Sequence, residues 1–148
     1  MPSAIAPIIW CCRRTKRRVF APIAIPPAPA GRSEERVPFR GLRRKIGSRA
    51  RILAVLEPRS NTMKLGTMKS QLPDSLREVD AAFCYAANLG WDAREALAPM
   101  GDRAVVEDDL SRLVDQIVIA AQPGDHILVM SNGGFGGIHG KILAALAA

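Results

Sequence analysis

The chain has 148 residues and a mass of 16.0 kDa, room for one domain and too little for a multidomain kinase or synthetase. Hydrophobic residues make up 48% and charged residues 24%, an ordinary soluble globular balance. Aromatics at 5% argue against a stacking platform for single-stranded nucleic acid. The chain has no apolar run of the ~18 residues a transmembrane helix needs. The net charge of +7 is unevenly spread: residues 1–52 hold thirteen of the 21 Lys and Arg and two of the 14 Asp and Glu, a net +11, and the remainder is net −4. Seven of the 11 prolines also precede residue 53. The basic character therefore belongs to a tail.

Residues 1–40 contain Cys11-Cys12, the basic run Arg13-Arg14-Thr15-Lys16-Arg17-Arg18 and a Pro/Ala stretch from Ala21 to Ala30. Pro26, Pro27 and Pro29 forbid a helix interior or a central strand there. The segment is expected to be disordered or polyproline-like, a solvated tail unrelated to the folded part. It fails as a signal peptide because its charges follow the short apolar stretch Ile5 to Trp10. The cysteine pair lacks C-x-x-C spacing and a nearby His, which argues against zinc. Three cysteines without a disulfide framework suit a reducing compartment, and a cytoplasmic location is expected.

From Gly41 the pattern changes, and a domain is expected over residues 41–148. Leu42 to Ile46 reads as the end of a basic helix stopped by Gly47. Ile52 to Leu56 is a continuous apolar run, the pattern of a strand buried on both faces. A polar loop follows from Arg59 to Gly66, then a helical region in which Pro73 opens a fresh first turn. Ala82 to Ala86 is a second strand. Asp92 followed by Glu95 predicts a capped helix through Leu97, closed by Pro99 and Gly101. Ala104 to Val106 is a third strand. Leu110, Leu113, Val114, Ile117, Val118 and Ala121 form one apolar helical face after the acids Asp108 and Asp109. His126 opens a fourth strand, Ile127 to Met130. The glycine-rich turn Ser131 to Gly137 leads into a final helix, Ile138 to Ala147. This alternation predicts an α/β fold: a Rossmann-like, mostly parallel sheet with helices on both faces. Cys84, within the second strand, reads as a small core residue.

In such sheets ligands bind beyond the carboxyl ends of the strands. Two polar loops are expected there. The first holds Arg59 and Lys64 with Ser60, Asn61 and Thr62; Arg offers a planar fork and Lys a point charge, so an anionic ligand is the natural partner unless the loop is simply solvated. The second can present backbone N–H groups to an anion or serve as a tight structural turn. It is neither G-x-G-x-x-G nor a P-loop. His126 and His139 are isolated and read as surface or strand-end residues. No catalytic triad, carboxylate pair or metal cluster is evident, so no catalytic or metal-binding residue is assigned.

The stretches Glu57-Pro58-Arg59-Ser60-Asn61-Thr62-Met63-Lys64-Leu65-Gly66 and Gln122 through His139 closely resemble the carboxy-terminal domain of the Mur ligase family. The likeness is to the branch that joins the murein tripeptide L-Ala-γ-D-Glu-meso-diaminopimelate to UDP-N-acetylmuramate in peptidoglycan recycling, a cell-wall process tied to cell shape and division. It covers roughly Gly41 to Ala148. It implies a three-domain, ATP- and Mg2+-dependent enzyme: the sugar's lactyl carboxylate is phosphorylated, and the peptide amine attacks and expels phosphate. The last domain closes over the nucleotide and helps hold the peptide. By this resemblance Arg59, Ser60, Asn61 and Lys64 are candidates for the tripeptide carboxylates, and Asn132, Gly133, Gly134 and Gly136 for the same cleft.

The departures are equally specific. The sequence contains no P-loop, none of the family's central-domain lysine and magnesium ligands, and no Asp/Tyr/Phe-Ala-His-His-Pro motif at the domain start. Gly140 stands where a polar residue is expected. The expectation is a gene fragment with an unrelated start, as a frameshift produces, inactive alone and binding neither ATP nor Mg2+ stably. A neighbouring reading frame would supply the missing domains. Two rival readings are a non-catalytic anionic-peptide-binding module and a nucleic-acid binder acting through the basic tail. No membrane partner is expected.

Overall fold

The structure is a computed structural model. It describes the backbone of residues 10–13 and 22–24, and residues 43–44, 46–58, 70, 72–130 and 135–148 in full. Six strands form one sheet: β1 (Trp10–Arg13), β2 (Pro22–Ala24), β3 (Ile52–Leu56), β4 (Ala81–Tyr85), β5 (Ala104–Glu107) and β6 (His126–Met130), in the order β2-β1-β6-β3-β4-β5. The helices are α1 (Leu72–Ser75), α2 (Ala93–Leu97), α3 (Leu110–Ala120) and α4 (Ile138–Ala147). A 3-10 segment, Ala98–Arg103, carries the chain from α2 into β5.

The four strands β6, β3, β4 and β5 run parallel, as the alternation of strands and helices predicts. β3 is buried along its whole length. Its side chains divide by parity, because successive residues of a strand point to opposite faces. Ile52, Ala54 and Leu56 join Ala82, Cys84 and Leu128 under Leu72, Ala93 and Leu97 of α1 and α2. Leu53 and Val55 join Phe83, Ile127 and Val129 under α3 and α4. The predicted apolar stripe of α3 is the stripe that packs there: Leu113, Val114 and Ile117 are buried, with Leu110, Val118 and Ala121 at its margin. Asp109 caps α3 by accepting from Arg112 N at 2.9 Å, and Asp92 caps α2 by accepting from Arg94 N and Glu95 N. Burial pushes the Cys84 thiol up to about 12, so it stays a neutral, unreactive core residue at physiological pH.

One expectation differs from the structure. Residues 1–40 were expected to lack regular structure, yet β1 pairs antiparallel with β6, and β2 pairs with β1. The cause is a long-range partner that local periodicity does not report. β6 is apolar and central, and its outer edge offers main-chain groups to a strand. Pro22 is tolerated because it begins the outermost strand, where a missing N–H costs least. The rest of the basic, Pro-rich stretch lies outside the described residues.

The amino ends of the parallel strands are tied by polar groups. Asp80 Oδ2 accepts from Ile52 N at 2.7 Å and from the Arg43 guanidinium at 3.0 Å. Arg43 also donates to the carbonyls of Ala50 and Glu78. Asp125, 5% exposed, accepts from Gln122 N and from Arg51 at 3.1 Å. Arg43 lies in the helical turn before β3, which ends at Gly47 in the left-handed region (φ +80°), as the basic helix stop predicts. This network fixes the end of the sheet opposite the strand carboxyl termini, which remain available to shape a cleft.

Candidate functional site

β3 and β6 are adjacent and parallel, with Leu56 beside Met130. The chain segments that follow them therefore leave from one edge of the sheet, and Glu57 N donates to Met130 O at 3.0 Å across the junction. A cleft of about 260 Å3 opens there. Glu57 and Pro58 line it from the end of β3, Tyr85, Ala87 and Asn88 from the end of β4, Leu110 from the start of α3, and Gly136 from the turn just before α4.

Local backbone chemistry shapes each wall. Ala86 N donates to Glu107 O at 2.8 Å, which extends the β4–β5 pairing one step before the chain turns. Asn88 then adopts φ +62°, a left-handed conformation that Asn tolerates better than most residues. On the opposite wall Phe135, Gly136 and Gly137 all have positive φ, at +45°, +56° and +71°. A Cβ on Gly136 would sit 2.5 Å from Leu110 Cδ2, a contact Leu110 can relieve by turning its methyl away, so it is the left-handed backbone that calls for glycine here. Phe135 is buried and anchors the turn against Tyr85, with ring centroids 5.8 Å apart and planes inclined by 34°.

Of the residues assigned to the site from sequence, Gly136 is described and lies in the cleft wall. Arg59, Ser60, Asn61, Lys64, Asn132, Gly133 and Gly134 lie outside the described residues. The described lining includes a carboxylate, Glu57, and no Lys or Arg. Sequence reasoning missed Tyr85, Asn88 and Leu110. Their signal was positional: Tyr85 lies near the end of the predicted strand Ala82 to Ala86 and Leu110 is the first apolar residue of the helix predicted after Asp108 and Asp109, the two places from which side chains reach a carboxyl-end cleft. Among the described residues no group of three His, Cys, Asp or Glu is placed to hold a metal ion, and no helix is long and apolar enough to cross a membrane.

His126 opens β6 and is buried, a strand-end residue as expected. His139 is half-buried on α4, and desolvation lowers its pKa from the ordinary 6.5. The fold thus prefers the neutral imidazole. That contribution is complete above about pH 6.5 and declines as the pH falls toward and through the depressed value. Urea unfolding should show a midpoint that drops between about pH 7.5 and 5.5, with a smaller drop in His139→Gln. Equal drops in the two proteins would count against this role.

Comparison with known proteins follows the same lines. No family model matches the chain. It is 52% identical over 107 residues to the UDP-N-acetylmuramate–L-alanyl-γ-D-glutamyl-meso-2,6-diaminoheptandioate ligase of Escherichia coli K12, covering 72% of this chain and 23% of that protein. The Haemophilus influenzae ligase of the same name is 52% identical over 106 residues, 71% of this chain and 23% of the relative. Among solved structures, a domain assigned to such a ligase from Haemophilus ducreyi superposes with a TM-score of 0.59 at 44% identity, covering 74% of this chain and 78% of that one. A murein peptide ligase from Psychrobacter arcticus gives a TM-score of 0.65 at 29% identity, over 88% of this chain and 30% of that one.

Proposed function

Because the chain belongs to the family of UDP-N-acetylmuramate:L-alanyl-γ-D-glutamyl-meso-diaminopimelate ligases, we propose that it is the part of such a ligase that holds the incoming tripeptide for joining to UDP-N-acetylmuramate. The observation that carries this reading is the adjacency of β3 and β6. Leu56 and Met130 end side by side, and Glu57, Pro58 and Gly136 line one cleft at the strand carboxyl ends. Arg59 grips one tripeptide carboxylate through its planar fork and Lys64 neutralises another. Ser60 and Asn61 add polar contacts. The turn of Asn132, Gly133, Gly134 and Gly136 brings backbone donors close without side-chain bulk.

The chain spans 23% of the length of the curated relatives it matches. ATP and Mg2+ are proposed to act on other parts of the ligase. This proposal draws on the lack of a P-loop in the sequence and of a group of three His, Cys, Asp or Glu placed to hold a metal ion among the described residues. No phosphoryl-transfer step is assigned to them. A nucleic-acid role for the basic stretch draws support from its charge alone.

The test is kinetic. Purified chain supplied with ATP, Mg2+, UDP-N-acetylmuramate and tripeptide should release no phosphate above blank. Residues 41–148 grafted in place of the matching segment of the Escherichia coli ligase should ligate. In that chimaera Arg59→Ala should raise the KM for tripeptide roughly 10–100-fold, the loss of one charge-assisted contact of about 1.5–3 kcal/mol. The KM for UDP-N-acetylmuramate should not move. An unchanged tripeptide KM would contradict the proposal.

A further inference from the structure

We propose that the outer edge of β6 is a strand-acceptor surface, filled in this chain by its own β1, and that a chain whose β1 cannot pair fills it with the β6 of a second copy. The argument starts from the direction of the main-chain groups. His126 N donates to Arg51 O, and Met130 O accepts from Glu57 N. His126 and Met130 therefore face β3. By the alternation along a strand, the N–H and C=O of Ile127 and Val129 face outward. Both residues are 4% exposed with β1 in place, and loss of β1 would open their main-chain groups to pairing with another strand. β1 supplies that pairing, with Trp10 opposite Val129 and Cys12 opposite Ile127.

The two outer strands of the parallel part of the sheet, β5 and β6, are protected differently. At the β5 edge the Arg94 guanidinium donates to Val106 O at 3.2 Å, so a side chain blunts that edge. The β6 edge relies on a strand instead. Its sequence, His-Ile-Leu-Val-Met, carries no Asp, Glu, Lys or Arg to repel a second copy. It also accepts its neighbour antiparallel, the orientation that a two-fold axis imposes on identical strands. Centred on Leu128, self-pairing sets Ile127 opposite Val129 of the other copy. Both residues point outward, so both hydrogen-bonded pairs close. His126 falls opposite Met130, and no two imidazoles meet.

The experiment uses the full chain under reducing conditions. Cys12→Pro removes the N–H that faces Ile127 and blocks β1 pairing; Cys12→Ser keeps it. Light scattering should give a monomer for the parent and for Cys12→Ser, and a doubled mass for Cys12→Pro. Hydrogen exchange should show the Ile127 and Val129 amides protected in all three. A monomeric Cys12→Pro, or a dimer with those two amides unprotected, overturns the proposal. If Cys12→Pro precipitates, excess synthetic peptide covering residues 8–15 should keep it soluble and monomeric. Precipitation unaffected by that peptide also overturns it.

Discussion

Replacing Phe83 by alanine should lower the unfolding free energy by about 3–5 kcal/mol, the usual cost of emptying a buried aromatic site. Phe83 sits mid-strand in β4, is 2% exposed, and packs with Leu53, Val55, Leu113 and Ile117 between the sheet and α3. No nearby side chain is free to fill the space, because the neighbours belong to a sheet and to a helix fixed by its own cap. A domain of this size has about 5–15 kcal/mol in total, so the loss is a large share. Its neighbour Cys84 faces the other side of the sheet, and Cys84→Ala removes one sulfur; it should cost about 1 kcal/mol, within the range of small core truncations. Chemical denaturation of both variants checks these costs. Equal costs would contradict the close packing described around Phe83.

Gly136→Val should destabilise the fold by roughly 2–4 kcal/mol and should also close part of the cleft. Two effects act together. The backbone at φ +56° is unfavourable for any residue with a Cβ and worse for a β-branched one. The new side chain also meets Leu110 Cδ2, 2.5 Å from the position of its Cβ. Leu110 can swing its methyl away, so the contact alone is cheap to relieve; the backbone term is not. Gly136→Ala should therefore retain most of the backbone penalty, about 1–2 kcal/mol. Gly140, on the exposed side of α4 with open space around it, provides the contrast. Gly140→Ala should stabilise by about 0.5–1 kcal/mol, since alanine is the better helix former.

Most of the parallel sheet was legible because its signals are local. Ile52 to Leu56 is an unbroken apolar run, and only a strand covered on both faces has a use for one. Leu113, Val114 and Ile117 recur at helical spacing and are the residues that α3 buries. Asp92 and Asp109 announce their helices and cap them. β1 and β2 were not legible. Four and three residues carry too little period to stand out among prolines and arginines, and their reason for existing lies in β6, more than a hundred residues away. The site divides in the same way. The loops after β3 and β6 stood out as unusual strings. Tyr85 and Asn88 did not, since an aromatic at a strand end and an Asn in a turn are commonplace until the sheet sets them beside Gly136.

The central claim, that the cleft at the carboxyl ends of β3 and β6 receives the tripeptide, is tested most directly by an NMR titration of isotope-labelled full-length chain with L-Ala-γ-D-Glu-meso-diaminopimelate. Binding should be weak, with a Kd near or above the millimolar range, where the total binding energy is only about 4 kcal/mol. Solvent-exposed ion pairs contribute about 0–1 kcal/mol each. Chemical shift changes should cluster between Arg59 and Lys64 and between Asn132 and Gly137, extend to Tyr85 and Asn88, and vanish in Arg59→Ala. Changes centred elsewhere, or none at saturating peptide, would contradict the account.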